Sequence, residues 1–180
     1  MANFLPLAAL GPRIMVCGPS NAGKSTLAVA IGNKLAMPAM HVDLFRHLPD
    51  TDWVQRTDED FAALHDAAIQ QERWVMDGNY STLMPQRLAR ATGIILLGDN
   101  RWANLARYLR RTLFQKRTRP GSLAGDKDSL KWEMVHWILV PSPGNLARYR
   151  VELPATGLPF VETRSMGELK ALYAAWGLGQ

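Results

Sequence analysis

Apolar and polar residues follow two different periods along this chain. Short apolar runs of four or five residues recur, and each is followed by a segment in which apolar residues return every three or four positions. The first pattern is typical of strands buried on both faces, and the second of amphipathic helices. Strands that alternate with helices predict an α/β fold, in which a parallel sheet carries helices on both faces.

Five segments fit the strand pattern. They are residues 14–17, 39–43, 74–77, 93–97 and 158–163. Alternation within the second segment places His41 and Asp43 on one face. We favour the interpretation of His41 as a packed strand residue over a catalytic one.

Helical periodicity fills most of the intervening chain. The predicted helices cover residues 27–35, 58–72, 81–90, 101 to about 116, 128–139 and 166–176. The fifth of these helices is expected to end at the Pro-Ser-Pro-Gly stretch 141–144. Residues 44–55 show no regular pattern, and residues 118–128 form a loop by composition.

Length and composition indicate one domain that spans residues 1–180, since no linker or internal repeat divides the chain. The single cysteine, Cys17, excludes an internal disulfide and favours a reducing compartment. We expect no signal peptide and no membrane span, because apolar runs stay short of about 18 residues. The sequence therefore predicts a soluble, cytoplasmic protein.

The net charge of +5 comes from one part of the chain. Residues 101–119 hold seven of the 21 Lys and Arg residues and no acidic residue. This basic stretch is either a lid of cations over phosphates or a solvated helix face. Its position on one element argues against a basic surface over the whole protein.

Residues 18–26 read GPSNAGKST and fit the pattern G-x-x-x-x-G-K-[ST]. An apolar strand precedes this stretch and a periodic helix follows it, as a phosphate-binding loop requires. In such a loop, backbone N–H groups surround a polyphosphate, and the helix directs the positive end of its dipole at the same oxygens. The other interpretation is a glycine-rich turn that binds nothing.

The loop predicts ATP and Mg²⁺ as cofactors. Lys24 would reach the β- and γ-phosphates, and the Ser25 hydroxyl would ligate Mg²⁺. The loop residues assigned to the nucleotide are Gly18, Asn21, Ala22, Gly23, Lys24, Ser25 and Thr26.

Two acids follow predicted strands at the carboxyl end of the sheet, where open α/β sheets bind ligands. Asp77 is assigned to a Mg²⁺-bound water, and its alternative is an ordinary Asp-Gly turn. Asp43 either orients or deprotonates an acceptor hydroxyl, or caps the next turn.

Phosphoryl transfer is favoured by the basic stretch, because cations must close over the γ-phosphoryl and exclude water. Arg107, Arg110 and Arg111 form the candidate lid, within residues 107–150, with Arg148 and Arg150 as its other jaw. An Asn-Lys-x-Asp segment of the kind that GTPases use to read the base is absent late in the chain. The candidate catalytic residues are Lys24, Asp43, Asp77, Arg107 and Arg111.

The segments GPSNAGKSTLA, HVDLF, ERWVMDGNYS and QRLARATGIILL, followed by an Arg-bearing helix, resemble the small adenylate-kinase-like P-loop proteins of bacteria. Many of these are catalogued as topology modulation proteins. The resemblance implies a P-loop NTPase of the nucleoside-monophosphate-kinase type, with a five-stranded parallel sheet, an acceptor-binding segment at about residues 44–72 and an Arg-rich lid. It also implies that Arg107 and Arg111 lie over the nucleotide and that Arg164 lies in the loop flanking the base.

One departure concerns the acceptor. Adenylate kinases continue Asp-Gly with Phe-Pro-Arg, whereas this chain has Asn79, Tyr80 and Ser81 there. The change argues against AMP as acceptor, with Arg46 and Arg87 as candidate replacements for the missing arginine.

The sequence as a whole predicts a kinase that transfers phosphate from ATP to a small molecule, such as a nucleotide, a nucleoside or a similar metabolite. Two alternatives stay open. One is a nucleotide-dependent regulatory protein that binds nucleic acid through the basic helix, for which no base-reading motif is present. The other is an NTP hydrolase without an acceptor. Oligomeric state is not indicated.

Overall fold

Five parallel strands form the central sheet of the computed structural model, which describes residues 4–51, 53–114 and 132–179. The strands are β1 (Arg13–Cys17), β2 (Ala39–His41), β3 (Trp74–Asp77), β4 (Gly93–Leu97) and β5 (Phe160–Thr163). They lie in the order β2-β3-β1-β4-β5, with β1 at the centre. The prediction of a five-stranded parallel sheet is confirmed.

Helices follow every strand within the described residues. They are α1 (Lys24–Leu35), α2 (Val42–Arg46), α3 (Asp58–Ile69), α4 (Met84–Arg90), α5 (Arg101–Phe114), α6 (Trp132–Leu139), α7 (Pro141–Glu152) and α8 (Met166–Trp176). The chain therefore returns to the same end of the sheet after each crossover, and all five strands present their carboxyl ends on one edge.

Alternate residues of β1 enter different cores. Ile14 and Val16 pack in a cluster with α1 and α8, whereas Met15 and Cys17 pack in a second cluster with α3, α4 and α7. Adjacent side chains of a strand point to opposite faces, so an uninterrupted apolar run requires cover on both. The predicted layers of helix, sheet and helix are confirmed.

The structure differs from prediction at two element ends. The second strand stops at His41, and Asp43 belongs to the short helix α2 rather than to a strand. The predicted end of the fifth helix is confirmed, since α6 ends at Leu139, but the Pro-Ser-Pro-Gly stretch then begins a further helix, α7, which was not predicted. Proline suits the first turn of a helix, because its fixed φ is helical and its missing N–H has no partner there anyway. The predicted loop 118–128 lies outside the described residues.

A buried arginine supports the turn that follows β3. Arg87 on α4 is fully buried, and its guanidinium donates to the backbone oxygens of Gly78 at 2.7 Å, Tyr80 at 3.3 Å, and Asn79. Burial lowers the pKa of Arg87. Removing a charge from water costs several kcal/mol unless it is well paired, so these carbonyl groups and the guanidinium depend on each other.

We expect Arg87→Met to lower the free energy of unfolding by about 2–4 kcal/mol, because carbonyl groups of residues 78–80 lose a buried donor. Urea denaturation measures the change. Arg148→Met is the matched control, since that arginine is exposed on α7, where it pairs with Glu152 at 3.5 Å and lies 5.3 Å from the Tyr149 ring centre; it should cost less than about 1 kcal/mol. Equal losses in the two variants would contradict this account.

Candidate active site

The loop between β1 and α1 lies at the centre of the carboxyl edge. Gly18 has φ 141°, and a Cβ atom there would lie 2.3 Å from the carbonyl oxygen of Leu97. Gly23 has φ 92° and immediately precedes α1. Both positions therefore require glycine, and the loop ends at the positive end of the α1 dipole.

The other predicted loop residues take different places. Lys24 Nζ donates to the carbonyl oxygen of Pro19 at 2.9 Å, so the lysine is folded over its own loop. Asn21 adopts a left-handed conformation with φ 62°. Ala22 is buried, and Thr26 is exposed on the first turn of α1. The loop thus combines a backbone cradle with one cation that lies across it.

Ser25 and Asp77 meet, as expected for two groups on the metal side of a nucleotide site. The Ser25 hydroxyl donates to Asp77 Oδ2 at 2.7 Å, and the Asp77 side chain is 3% exposed. The other carboxylate oxygen, Oδ1, contacts Nδ1 of His41. The interpretation of His41 as a packed strand residue did not include this contact, which depends on the register of β2 and β3.

Asn79 ties the turn after β3 to the phosphate loop. Its Oδ1 accepts from the Gly18 N–H at 3.1 Å, and its Nδ2 donates to the Gly18 carbonyl at 2.9 Å. One amide side chain thereby satisfies both backbone groups of the glycine that opens the loop. Sequence comparison marked Asn79 only as a departure from adenylate kinases, and this role depends on a contact between residues 61 positions apart.

Asp43, predicted to contact an acceptor or to cap a turn, lies beside Tyr80 at this edge. The Tyr80 hydroxyl donates to Asp43 Oδ1 at 2.8 Å. Burial, followed by the nearby Asp43 charge, raises the pKa of Tyr80, which keeps the phenol protonated as a donor. Tyr80 also has φ 33°, a left-handed conformation that is strained for a bulky residue. Such strain persists only where surrounding contacts hold it.

Neither candidate replacement for the missing acceptor arginine is free. Arg87 is buried under residues 78–80. Arg46 donates to Gln55 Oε1 at 2.6 Å, pairs with Asp58, and lies 5.2 Å from the Phe61 ring centre. The Phe61 ring in turn contacts that of Tyr80 at 5.2 Å, nearly edge to face. Asp43 therefore lies beside Tyr80, whose ring packs on Phe61, and neither Arg46 nor Arg87 is an uncommitted cation.

Arg107 reaches from α5 back to the phosphate loop. Its Nε donates to the Asn21 carbonyl at 2.9 Å, while its NH2 pairs with Asp99 at 2.6 Å and contacts Asn104. Arg110 is exposed on the same helix. Arg111 lies on α5, and its side chain, like Arg117 and Arg119, is outside the described part of the structure. Only Arg107 among the described lid candidates on α5 contacts the loop.

The remaining candidate arginines gather around β5 instead. Glu162 accepts from Arg150 Nε at 2.6 Å and from Arg164 Nε at 3.2 Å. Arg148 pairs with Glu152 within α7. Glu162 and Arg164 also line a cavity of about 350 Å³ at the outer edge of the sheet. The prediction that Arg148 and Arg150 face Arg107 across the phosphate site is therefore not met, because they pair with Glu152 and Glu162.

Ser25 and Asp77 are the two residues predicted for the metal side, and within the described ranges no cluster of three or more His, Cys, Asp or Glu side chains could hold an ion. A nucleotide-bound Mg²⁺ needs no such cluster, because phosphates and waters supply most of its ligands. Hydroxyl and carboxylate oxygens at Ser25 and Asp77 fit that requirement.

Across the described residues, every helix is too short or too polar to cross a bilayer.

Comparison with known proteins relates the chain to kinases through fold alone. No protein-family model matches it. No curated protein matches it either. Among solved structures, it is similar to a gluconokinase from Sinorhizobium meliloti 1021, with a TM-score of 0.56, 15% identity and coverage of 93% of both chains. A shikimate kinase from Bacteroides thetaiotaomicron gives a TM-score of 0.54 at 17% identity, with coverage of 93% of this chain and 99% of that one.

A shikimate kinase from Acinetobacter baumannii, solved in complex with shikimate, gives a TM-score of 0.51 at 15% identity and coverage of 94% and 96%. Identities this low leave the specific resemblance to topology modulation proteins a prediction. The shared architecture extends over nearly the whole length of each chain. The chain therefore has the α/β fold of P-loop small-molecule kinases.

Proposed function

We propose that this protein transfers the γ-phosphoryl group of ATP, with Mg²⁺, to a hydroxyl group of a small molecule. The observation that carries the proposal is the contact of Ser25 with Asp77 directly behind the Lys24 loop. It joins a phosphate cradle, a cation and a pair of oxygen ligands at one edge of the sheet. Phosphoryl transfer needs mainly such positioning and charge stabilisation.

The nucleotide phosphates would lie against backbone N–H groups of residues 20–23 and of the first turn of α1. Lys24 would exchange its contact with the Pro19 carbonyl for the β- and γ-phosphates, which are stronger acceptors. Ser25 would ligate Mg²⁺ and Asp77 would hold one of its waters. When bound, the ion neutralises charge that develops on the phosphate oxygens.

The acceptor would bind beside Asp43. This carboxylate accepts from Tyr80 on Oδ1, which leaves Oδ2 able to accept from an acceptor hydroxyl. A hydroxyl donates to a carboxylate, whereas an acceptor phosphate would be repelled by it. Since Arg46 and Arg87 are committed elsewhere, these contacts support a hydroxyl compound over AMP.

Arg107 supports the lid assignment through its contact with the loop carbonyl of Asn21. A guanidinium at this place is within reach of the nucleotide side of the loop and is oriented by Asp99. Arg111 one turn further along α5 remains a prediction for the same role, as does Arg164 for the base. A fixed cation of this kind stabilises the spread charge of the transferring phosphoryl group.

We expect Lys24→Ala to abolish transfer of labelled γ-phosphate while the thermal unfolding temperature stays within a few degrees of wild type. The lysine is partly exposed and its one hydrogen bond is to its own loop, so the fold does not depend on it. A panel of nucleosides, nucleotides, sugars and hydroxy acids serves as acceptors. Lys34→Ala, on the exposed end of the same helix, is the control and should retain activity.

Labelled product in the Lys24→Ala reaction would refute the kinase proposal. Free phosphate without labelled acceptor in wild type would favour a hydrolase instead. ATP binding with neither product would direct attention to the nucleic-acid alternative through Arg110 and Arg111.

Asp43→Asn should lower kcat for the acceptor by about 10²–10⁴-fold and leave the Kd for ATP within about twofold, because a general base contributes of that order and does not touch the nucleotide. Tyr80 keeps a partner, since the amide oxygen still accepts from its hydroxyl. Transfer kinetics and nucleotide titration measure the two quantities. Asp60→Asn, exposed on α3, controls for the loss of a charge, and an unchanged kcat in Asp43→Asn would assign Asp43 a structural role.

A further inference from the structure

His41 stands at the end of β2, where the sheet itself aligns it with Asp77. The parallel register of β2 and β3 pairs these two residues directly. The next residue, Val42, is fully buried against Gly78, where a Cβ atom would approach within 2.8 Å of the valine Cβ. The backbone on both sides of the contact is therefore fixed by close packing.

The contact is nearly dry and uses the carboxylate oxygen that Ser25 leaves free. The side chains of His41 and Asp77 are 10% and 3% exposed. Oδ2 of Asp77 accepts from Ser25 at 2.7 Å, and Oδ1 contacts His41 Nδ1. A carboxylate only accepts, so Nδ1 carries the proton and donates. Two donors on opposite oxygens fix the plane of the carboxylate.

We propose that His41 is a positioning residue for the metal side of this site: it holds Asp77 in the orientation that directs Oδ2 towards Ser25 and the nucleotide-bound cation. The inference rests on the proposed function, because it assigns the pair Ser25 and Asp77 to that cation. His41 acts through Asp77 and does not itself touch the nucleotide or the acceptor.

An apolar side chain at position 41 would fill the same space and leave Oδ1 buried without a donor. The carboxylate would then turn to find another partner, and Oδ2 would be less available to the water on the cation. Partners that orient a metal-binding group typically contribute ten- to a hundredfold to metal affinity. The predicted effect of His41 is therefore on cation binding rather than on nucleotide binding.

Three variants test this role. His41→Asn retains an N–H close to the place of Nδ1, His41→Leu removes every donor, and His41→Gln carries its amide one bond further away. Each is titrated with Mn²⁺ in the presence of a non-hydrolysable ATP analogue, and the electron paramagnetic resonance signal of free Mn²⁺ gives the Kd. The analogue is also titrated without metal, and thermal unfolding is recorded for each variant.

We expect His41→Leu and His41→Gln to raise the Kd for Mn²⁺ by about ten- to a hundredfold, and His41→Asn by less than about threefold. Metal-free analogue binding should stay within about twofold in all three. His136→Leu, an exposed histidine on α6, should change neither quantity. Rescue by asparagine distinguishes a donor at Nδ1 from a side chain that merely fills space.

An unchanged Kd for Mn²⁺ in His41→Leu would overturn the proposal, and so would equal weakening of Mn²⁺ and metal-free analogue binding. If His41→Leu does not fold, the comparison of His41→Asn with His41→Gln tests the proposal. Equal Mn²⁺ affinities in those two variants would overturn it. Ser25→Ala separates this result from the proposed function. If Ser25→Ala binds Mn²⁺ as tightly as wild type, the proposed function is contradicted. If Ser25→Ala weakens Mn²⁺ binding and His41→Leu does not, only this inference is contradicted.

Discussion

The candidate site depends on the turn after β3, and the buried guanidinium of Arg87 fixes the backbone of that turn. Its two terminal nitrogens donate to the carbonyl oxygens of Gly78, Asn79 and Tyr80, so a buried charge is paired with backbone acceptors of the turn. The constraint fixes a conformation that Tyr80, with φ 33°, would not adopt freely. The side chains of Asp77, Asn79 and Tyr80 thereby contact three different residues along one edge of the sheet.

The three contacted residues are candidates for binding the nucleotide or the acceptor. Asp77 contacts Ser25 on the nucleotide side, Asn79 binds the backbone of Gly18, and Tyr80 donates to Asp43 on the acceptor side. Residues 77–80 therefore set the distance between the phosphate loop and Asp43, the carboxylate proposed to bind the acceptor. Transfer between two bound molecules depends on such alignment, since small misplacements of reacting atoms cost much of the rate.

The acceptor side also explains how this chain differs from the adenylate-kinase pattern. An arginine after Asp-Gly would present a cation to an acceptor phosphate, whereas Tyr80 presents a phenol that donates to Asp43. Arg46 is balanced by Asp58, and Arg87 is committed to backbone oxygens. Neither guanidinium donates to Asp43 among the contacts described, and a carboxylate accepts from a hydroxyl donor but repels an anion.

The sequence by itself determined the sheet, its helical cover and the phosphate loop, because each is encoded within a few neighbouring residues. An apolar run identifies a buried strand, and GPSNAGKST specifies a backbone shape whatever surrounds it. The start of α7 at Pro141 was missed, since proline both ends helices and begins them, and packing of Leu146 and Tyr149 on the sheet decides which. The structure likewise moved Asp43 from a strand into α2.

Only the tertiary structure decided which polar side chains meet. His41 and Asp77 are separated by 36 positions, and Asn79 and Gly18 by 61, so no local pattern links them. Their contacts follow from strand register, which is fixed by the packing of whole strands and helices. Arg87 shows the same limit, because a charged residue on a short helix is expected to be exposed, and its burial depends on three carbonyl groups in the turn after β3. Local periodicity thus specified the scaffold, and long-range packing specified the chemistry at its edge.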